Sequence, residues 1–143
     1  QRGWNSLNID AVELSVVGDE RGSLVAIQGG IDIPFDIKRV YYLFGTKLNV
    51  IRGEHAHRNL RQLLICVNGS CEVMLDDGTS KKSLILDSPS KGVLVESCIW
   101  REMSEFSEGC VLLVLADSFY EKEDYIRNYP AFLEEVRAKS RST

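Results

Sequence analysis

What most constrains this chain is the punctuation of its apolar runs. From residue 11 to 116 each run is short, rich in Val, Ile, Leu or Tyr, and closed by turn residues. AVELSVVG gives way to DERG and then SLVAIQGG; IPFD is followed by IKRVYYLFG and KLNVIRGEHAH. LRQLLICVNGS, CEVMLDDGTSKKSLIL, GVLVES, IWREMSEFS and CVLLVLA complete the set. Asn68-Gly69 and Asp77-Gly78 are hairpin signals, because the tight turns that match strand twist need positive φ. None of the runs carries the 3.6-residue period of a core-facing helix. Strands at this spacing predict an all-β antiparallel sandwich or barrel. CVLLVLA (110–116) is apolar on both faces and is expected to be a central strand. A helix is expected only at the end, where Pro130 suits the first turn, Phe132, Leu133 and Val136 share a stripe, and KSRST frays.

With 143 residues the chain is long enough for one core, and no linker, repeat or low-complexity stretch divides it. A single domain spanning 1–143 is expected. The missing initiator Met leaves open a trimmed chain or a domain cut from a longer bifunctional one. No apolar run approaches about 18 residues, and QRGWNSLNID is too polar for a signal peptide. A cytoplasmic protein without membrane contact is therefore expected. Cys66, Cys71, Cys98 and Cys110 show no C-x-x-C pairing and mostly sit in apolar runs. They read as buried thiols in a reducing compartment rather than a disulfide framework. The net charge of −4 argues against a general nucleic-acid binder, so any anionic ligand must meet a local basic cluster.

Residues 52–62, RGEHAHRNLRQ, offer such a cluster and hold both histidines of the chain. In a strand, His55 and His57 point to one face. In metal-binding cupins, H-x-H is followed by x3–4, Glu, x6 and Gly, and a second motif with P-x-G supplies a third His. Here the Glu position is Gln62, Gly69 follows in register, and the second motif survives only as PSKG (89–92) without a histidine. Two imidazoles without a carboxylate fall short of the three or four ligands a transition metal wants. The expectation is a cupin-type antiparallel barrel, or jelly roll, with no metal and no other cofactor. Two imidazoles so placed remain proton-transfer groups near neutrality. In IKRVYYLFG one face carries Arg39 and Tyr41 and the other Lys38, Val40 and Tyr42; apolar pattern alone favours Val40 inward.

IPFDIKRVYYL, RGEHAHRNLRQLLICVNGS, the DDG turn, PSKGVLVES with IWREMSEFS, and CVLLVLADSFYEKEDYIRNYPAFL together resemble the dTDP-4-keto-6-deoxyglucose 3,4-ketoisomerases, the FdtA and QdtA group also described as WxcM-like. The resemblance runs from about residue 10 to 133. It implies a bacterial homodimer with strand exchange, isomerising a dTDP-linked 4-keto-6-deoxyhexose to the 3-keto sugar without a metal. The 3-keto products are typically aminated and acylated for surface polysaccharides such as O-antigen, and members occur fused to acyltransferase domains. The catalytic histidine of the group falls on His55, with His57 the second. The active-site tyrosine falls on Tyr41, which turns Arg39 and Tyr41 into the lumen against the pattern reading. Arg21, in ERGSLV, matches a position near the sugar, and the Arg-Gly pair resembles the branch with a galacto-configured product.

The diphosphate of such a substrate calls for arginines, which bind it bidentately. Arg52 and Arg39 are the first choices; Arg58 and Arg61 have opposite parity, and Arg58 reads as solvated. Gln62 is placed to bond the sugar, and Trp100 and Arg101 to contact the nucleotide. Glu54, Glu102 and Asp117 read as surface charge, and Tyr120, Tyr125 and Tyr129 as packing. A 3,5-epimerase-type cupin on the same substrate and a non-catalytic sugar-nucleotide-binding cupin are the competing readings.

Overall fold

The structure, a computed structural model, describes residues 10–141. Its strands are β1 (Asp10–Glu13), β2 (Val16–Asp19), β3 (Gly22–Val25), β4 (Arg39–Leu43), β5 (Arg52–His57) and β6 (Gln62–Asn68). They continue as β7 (Cys71–Asp76), β8 (Lys81–Leu86), β9 (Lys91–Val95), β10 (Trp100–Ser104), β11 (Val111–Ala116) and β12 (Tyr125–Ile126), before helix α1 (Tyr129–Arg141). Two five-stranded sheets, ordered β1-β9-β6-β11-β4 and β12-β5-β10-β7-β8, face each other. All of their pairings are antiparallel. This is the expected cupin-type jelly roll.

The alternation of side chains builds three apolar layers. Leu64, Val93, Leu112 and Val114 of the first sheet meet Val73, Leu75, Leu86 and Met103 of the second between the sheets. Leu63, Ile65 and Leu115 point the other way and are covered by Leu14, Ile33 and Phe35. β11 therefore buries both faces and has a neighbour on each side, as CVLLVLA predicts. Outside the second sheet, α1 lays Phe132 on Ala56, Trp100 and Ile126. Burying one such large side chain contributes about 1.5–3 kcal/mol.

α1 begins where the sequence indicates. Asn128 caps it by accepting the Ala131 N–H at 2.8 Å, and Pro130 occupies the first turn. Lys139–Arg141 remain helical rather than frayed, and residues 142–143 lie outside the described range. No described helix is long and apolar enough to cross a membrane.

Four segments depart from the strand reading. AVELSVVG splits, its first half joining β9 and its second pairing only with β3. IPFD is not a strand: Asp32 accepts the Gln28 N–H at 2.7 Å in a turn, and Pro34 has no N–H to give to a ladder. KLNVIRGEHAH becomes extended only at Arg52. Asn68-Gly69 links β6 to β7 but makes no hairpin, because the two strands lie in different sheets. Asp77-Gly78 does close one, between β7 and β8. Gly78 has φ +98 and lies under the helix, where an added Cβ would come within 2.9 Å of Val136.

Candidate active site

The two imidazoles stand on β5 where the ladder to β10 is irregular. His55 pairs with Arg101, but Glu102 pairs with Gly53, leaving Glu54 as an extra residue. Gly53 (φ +88) and Glu54 (φ +57) take the left-handed turn of this bulge, and a Cβ on Gly53 would meet the Arg101 carbonyl at 2.9 Å. The bulge shifts the parity of the strand. Arg52 and His55, three residues apart, consequently line the same cavity.

That cavity, of about 500 Å³, is walled by Arg39, Tyr41, Arg52, His55, Tyr125 and Arg127, with Leu43 and Met103 on its apolar side. Arg39 and Tyr41 thus face the lumen while Val40 is 53% exposed, which corrects the apolar-pattern reading. Arg39 lies 5.4 Å over the Tyr41 ring and 5.7 Å over Tyr120. Arg127 lies 4.2 Å over Tyr125. None of Arg39, Arg52, Arg101 and Arg127 forms an ion pair among the described residues, whereas Arg21, Arg58, Arg61 and Arg137 all do. Unpaired guanidinium groups around a cavity suit a polyanion.

Behind the wall runs a chain of hydrogen bonds. Arg101 is 2% exposed and donates through Nη1 to Gln62 Oε1; Gln62 donates through Nε2 to Tyr41 Oη at 2.8 Å. Every link donates forward, so the Tyr41 O–H is left to donate into the cavity. Burial raises the Tyr41 pKa, and the nearby Arg101, Gln62 and Arg39 act against it; the net shift keeps the phenol protonated. Gln62, at the old carboxylate position, polarises Tyr41 from behind instead of lining the cavity.

His55 Nδ1 lies 3.0 Å from the Gly53 carbonyl, which can only accept, so Nδ1 carries the proton and Nε2 the lone pair. Burial, then the Arg101 charge, pushes the His55 pKa down to about 4, despite the opposing bond to Gly53. His57 sits behind it, 1% exposed, its ring edge-on to His55 at 4.8 Å. Burial and the charge of Arg101 push its pKa down to about 2. The guanidinium that opposes protonation would equally repel a metal ion held by these imidazoles, and Gln62 offers no carboxylate to offset it.

Another convergence of ligand-type atoms is at the opposite end of the barrel. The thiols of Cys66, Cys71 and Cys110 lie within 4.8 Å of one another. All three belong to the apolar core cluster, and burial pushes the Cys66 thiol up to about 12 and raises that of Cys71 as well. All three are packing groups of the core.

Two expected site residues are elsewhere. Trp100 packs on Tyr129 and Phe132 beneath α1, because Arg101 turns inward and its neighbour must turn out. Arg21 is at the exposed tip of the β2–β3 hairpin, bonded to Asp19. Arg58 clamps Glu135 of the helix, and Arg61 pairs with Glu96. The sequence reading took Tyr125 for packing and passed over Asp124 and Arg127. They come from a mixed charged run whose two-residue strand pairs with the histidine strand.

Residues 7–137 match the family described as FdtA: WxcM-like, C-terminal. The TDP-4-oxo-6-deoxy-alpha-D-glucose-3,4-oxoisomerase of Aneurinibacillus thermoaerophilus is 54% identical over 114 residues, 80% of this chain and 82% of that protein. A histidine-to-asparagine variant of the 3,4-ketoisomerase QdtA from Thermoanaerobacterium thermosaccharolyticum, in complex with TDP-4-keto-6-deoxyglucose, is 42% identical. It superposes with a TM-score of 0.89 over 94% of this chain and 96% of that one. A 3,4-ketoisomerase from Helicobacter canadensis is 45% identical, with a TM-score of 0.90 over 92% of this chain and 99% of that one. The dTDP-4-dehydrorhamnose 3,5-epimerase of Bacillus anthracis, 14% identical with a TM-score of 0.73, shares the fold alone. From its polar barrel lumen to its matched length, this chain belongs to the FdtA, WxcM-like family of 3,4-ketoisomerases.

Proposed function

We propose that this chain converts dTDP-4-keto-6-deoxy-D-glucose to a dTDP-3-keto-6-deoxyhexose of galacto configuration, by proton transfer between C3 and C4 without a metal. One arrangement carries the reading. A neutral imidazole with a free Nε2 and a phenol with a free O–H line one cavity with unpaired arginines. The C3–H of a 4-keto sugar is acidified by the adjacent carbonyl. His55 takes that proton, and the electron pair moves through C3–C4 to the carbonyl oxygen, which Tyr41 protonates. O3 of the resulting enediol then gives up its proton, which passes by way of His57 back to the Tyr41 phenolate, and its electrons form the C3 carbonyl. C4 receives the proton held by His55. C3–H and O3–H are lost, C4–H and O4–H are gained, and no redox partner is consumed. Positioned groups of this kind contribute about 10²–10⁴-fold in rate.

Arg39, Arg52 and Arg127 hold the diphosphate in this reading. The anion also offsets the positive charge that depresses His55, so substrate binding strengthens the base. Arg21 enters from a second copy of the chain. The β2–β3 hairpin pairs only with itself and exposes Val16, Val17 and Leu24, which suits exchange onto a partner barrel. Incubation with dTDP-4-keto-6-deoxyglucose in D2O, followed by NMR, tests the proposal. The expected product has its carbonyl at C3, with protium at C4 where His55 hands on the C3 proton directly and deuterium there to the extent that the proton exchanges with solvent on His55. Exchange at C3 and C5 with the carbonyl unmoved would instead establish a 3,5-epimerase, and absence of turnover would leave only a binding protein.

A further inference from the structure

The carboxylate that holds His57 comes from outside the histidine motif. Asp124 Oδ2 lies 3.2 Å from His57 Nδ1, while Oδ1 accepts the Asn59 N–H at 2.8 Å. The Asp124 carbonyl accepts the Arg58 N–H at 3.0 Å, and the next residue, Tyr125, is in ladder register with His57. The residue is thus held at both carboxylate oxygens and at its backbone carbonyl. An ionised carboxylate only accepts, so His57 carries its proton on Nδ1 and its lone pair on Nε2. That Nε2 is buried and has no hydrogen-bond partner. Such an atom is costly to leave unsatisfied, and the rings packed against His57 are those of Tyr125 at 4.2 Å and His55 at 4.8 Å.

We propose that Asp124 is a positioning residue for the reaction, locking His57 as the Nδ1–H tautomer so that its Nε2 accepts a hydroxyl proton of the sugar beside His55. The inference rests on the ketoisomerase reading and adds to it. His55 and His57 then share one tautomer by different means, a backbone carbonyl for the base and a carboxylate for its neighbour. Asp124 also brings a negative charge beside His57 that favours the cationic form of the buried Arg101 guanidinium. A purely structural Asp124 would tie the 58–59 turn to β12 and leave the chemistry of the ring indifferent to its charge.

The test is Asp124→Asn, which keeps the acceptor for the Asn59 N–H. Its amide N–H donates to Nδ1 and so inverts the tautomer. We expect kcat to fall about 10- to 100-fold, the range for partners that orient a ligating or reacting imidazole, with KM within about twofold of the parent. Nitrogen-15 NMR of the imidazoles should show the His57 proton moving from Nδ1 to Nε2. An unchanged kcat, or a loss confined to KM and stability, overturns the proposal. If the variant does not fold, the same spectrum of the parent protein decides: a protonated Nε2 on His57 overturns it, and a protonated Nδ1 supports it. The spectra need no substrate, so a chain that fails to turn over dTDP-4-keto-6-deoxyglucose sinks the ketoisomerase reading without deciding how His57 is held.

Discussion

The two ends of the barrel hold equally buried inward residues and are chemically opposite. Along β6, Gln62 and Cys66 point inward and both are 0% exposed. Gln62 receives from Arg101 and gives to Tyr41, one link in a directed chain that ends in a cavity. Cys66 meets Cys110 at 3.4 Å, donates to the Asn68 carbonyl at 3.2 Å, and otherwise lies in an apolar shell. Burial by itself therefore does not mark a site. What marks one is polarity that the fold keeps satisfied on one side and leaves available on the other.

Substitutions at the two ends should separate catalysis from stability. His55→Asn should give the largest effect, a drop of about 10²–10⁴ in turnover with dTDP still bound; product NMR and calorimetric titration read the two quantities. Near-normal turnover would remove His55 from the role of base. At the far end, Leu86→Ala should cost about 2–5 kcal/mol of stability in urea denaturation. kcat/KM per folded molecule should stay unchanged, and a matching loss of activity would dissolve the contrast between the ends.

The pH response sharpens the same comparison. The folded state keeps both imidazoles neutral, with pKa values pushed down to about 4 and about 2, while the unfolded chain titrates near 6.5. Between those values the unfolded chain binds more protons. Their contribution to stability is complete above about pH 6.5 and is lost as pH falls toward the folded values. Denaturation at stepped pH should show that slope, and kcat/KM should hold until pH approaches about 4. Arg101→Met should move the acid limb of kcat/KM upward toward 6.5; an unmoved limb would mean that the guanidinium does not govern the base. The smallest effect is expected for Cys110→Ala, about 1 kcal/mol of stability and none on the pH profile.

Much of this was legible in the sequence because strand periodicity is local. The barrel, the central β11, the terminal helix and the pairing of His55 with His57 follow from spacing alone. The pattern reading went astray at Val40, where the lumen is polar and the apolar residue belongs outside. The resemblance to the ketoisomerases placed Arg39 and Tyr41 correctly, and the structure supplies the physical reason: Tyr41 must meet Gln62. Trp100 could have been set aside by the same alternation that turns Arg101 inward. Asp124, Tyr125 and Arg127 could not be found this way. They reach the site through a pairing nearly 70 residues away along the chain, and a mixed charged run gives no local sign of it.

The extra residue in β5 makes length, as much as composition, part of the pocket. Replacing Glu54 with Gly or Asn, both at home at a left-handed backbone angle, should leave the cavity intact, since the Glu54 side chain points to solvent. Removing it would restore strict alternation and carry either the anion-holding arginine or the base to the wrong wall. In this strand a deletion is a more drastic edit than almost any exchange of side chain.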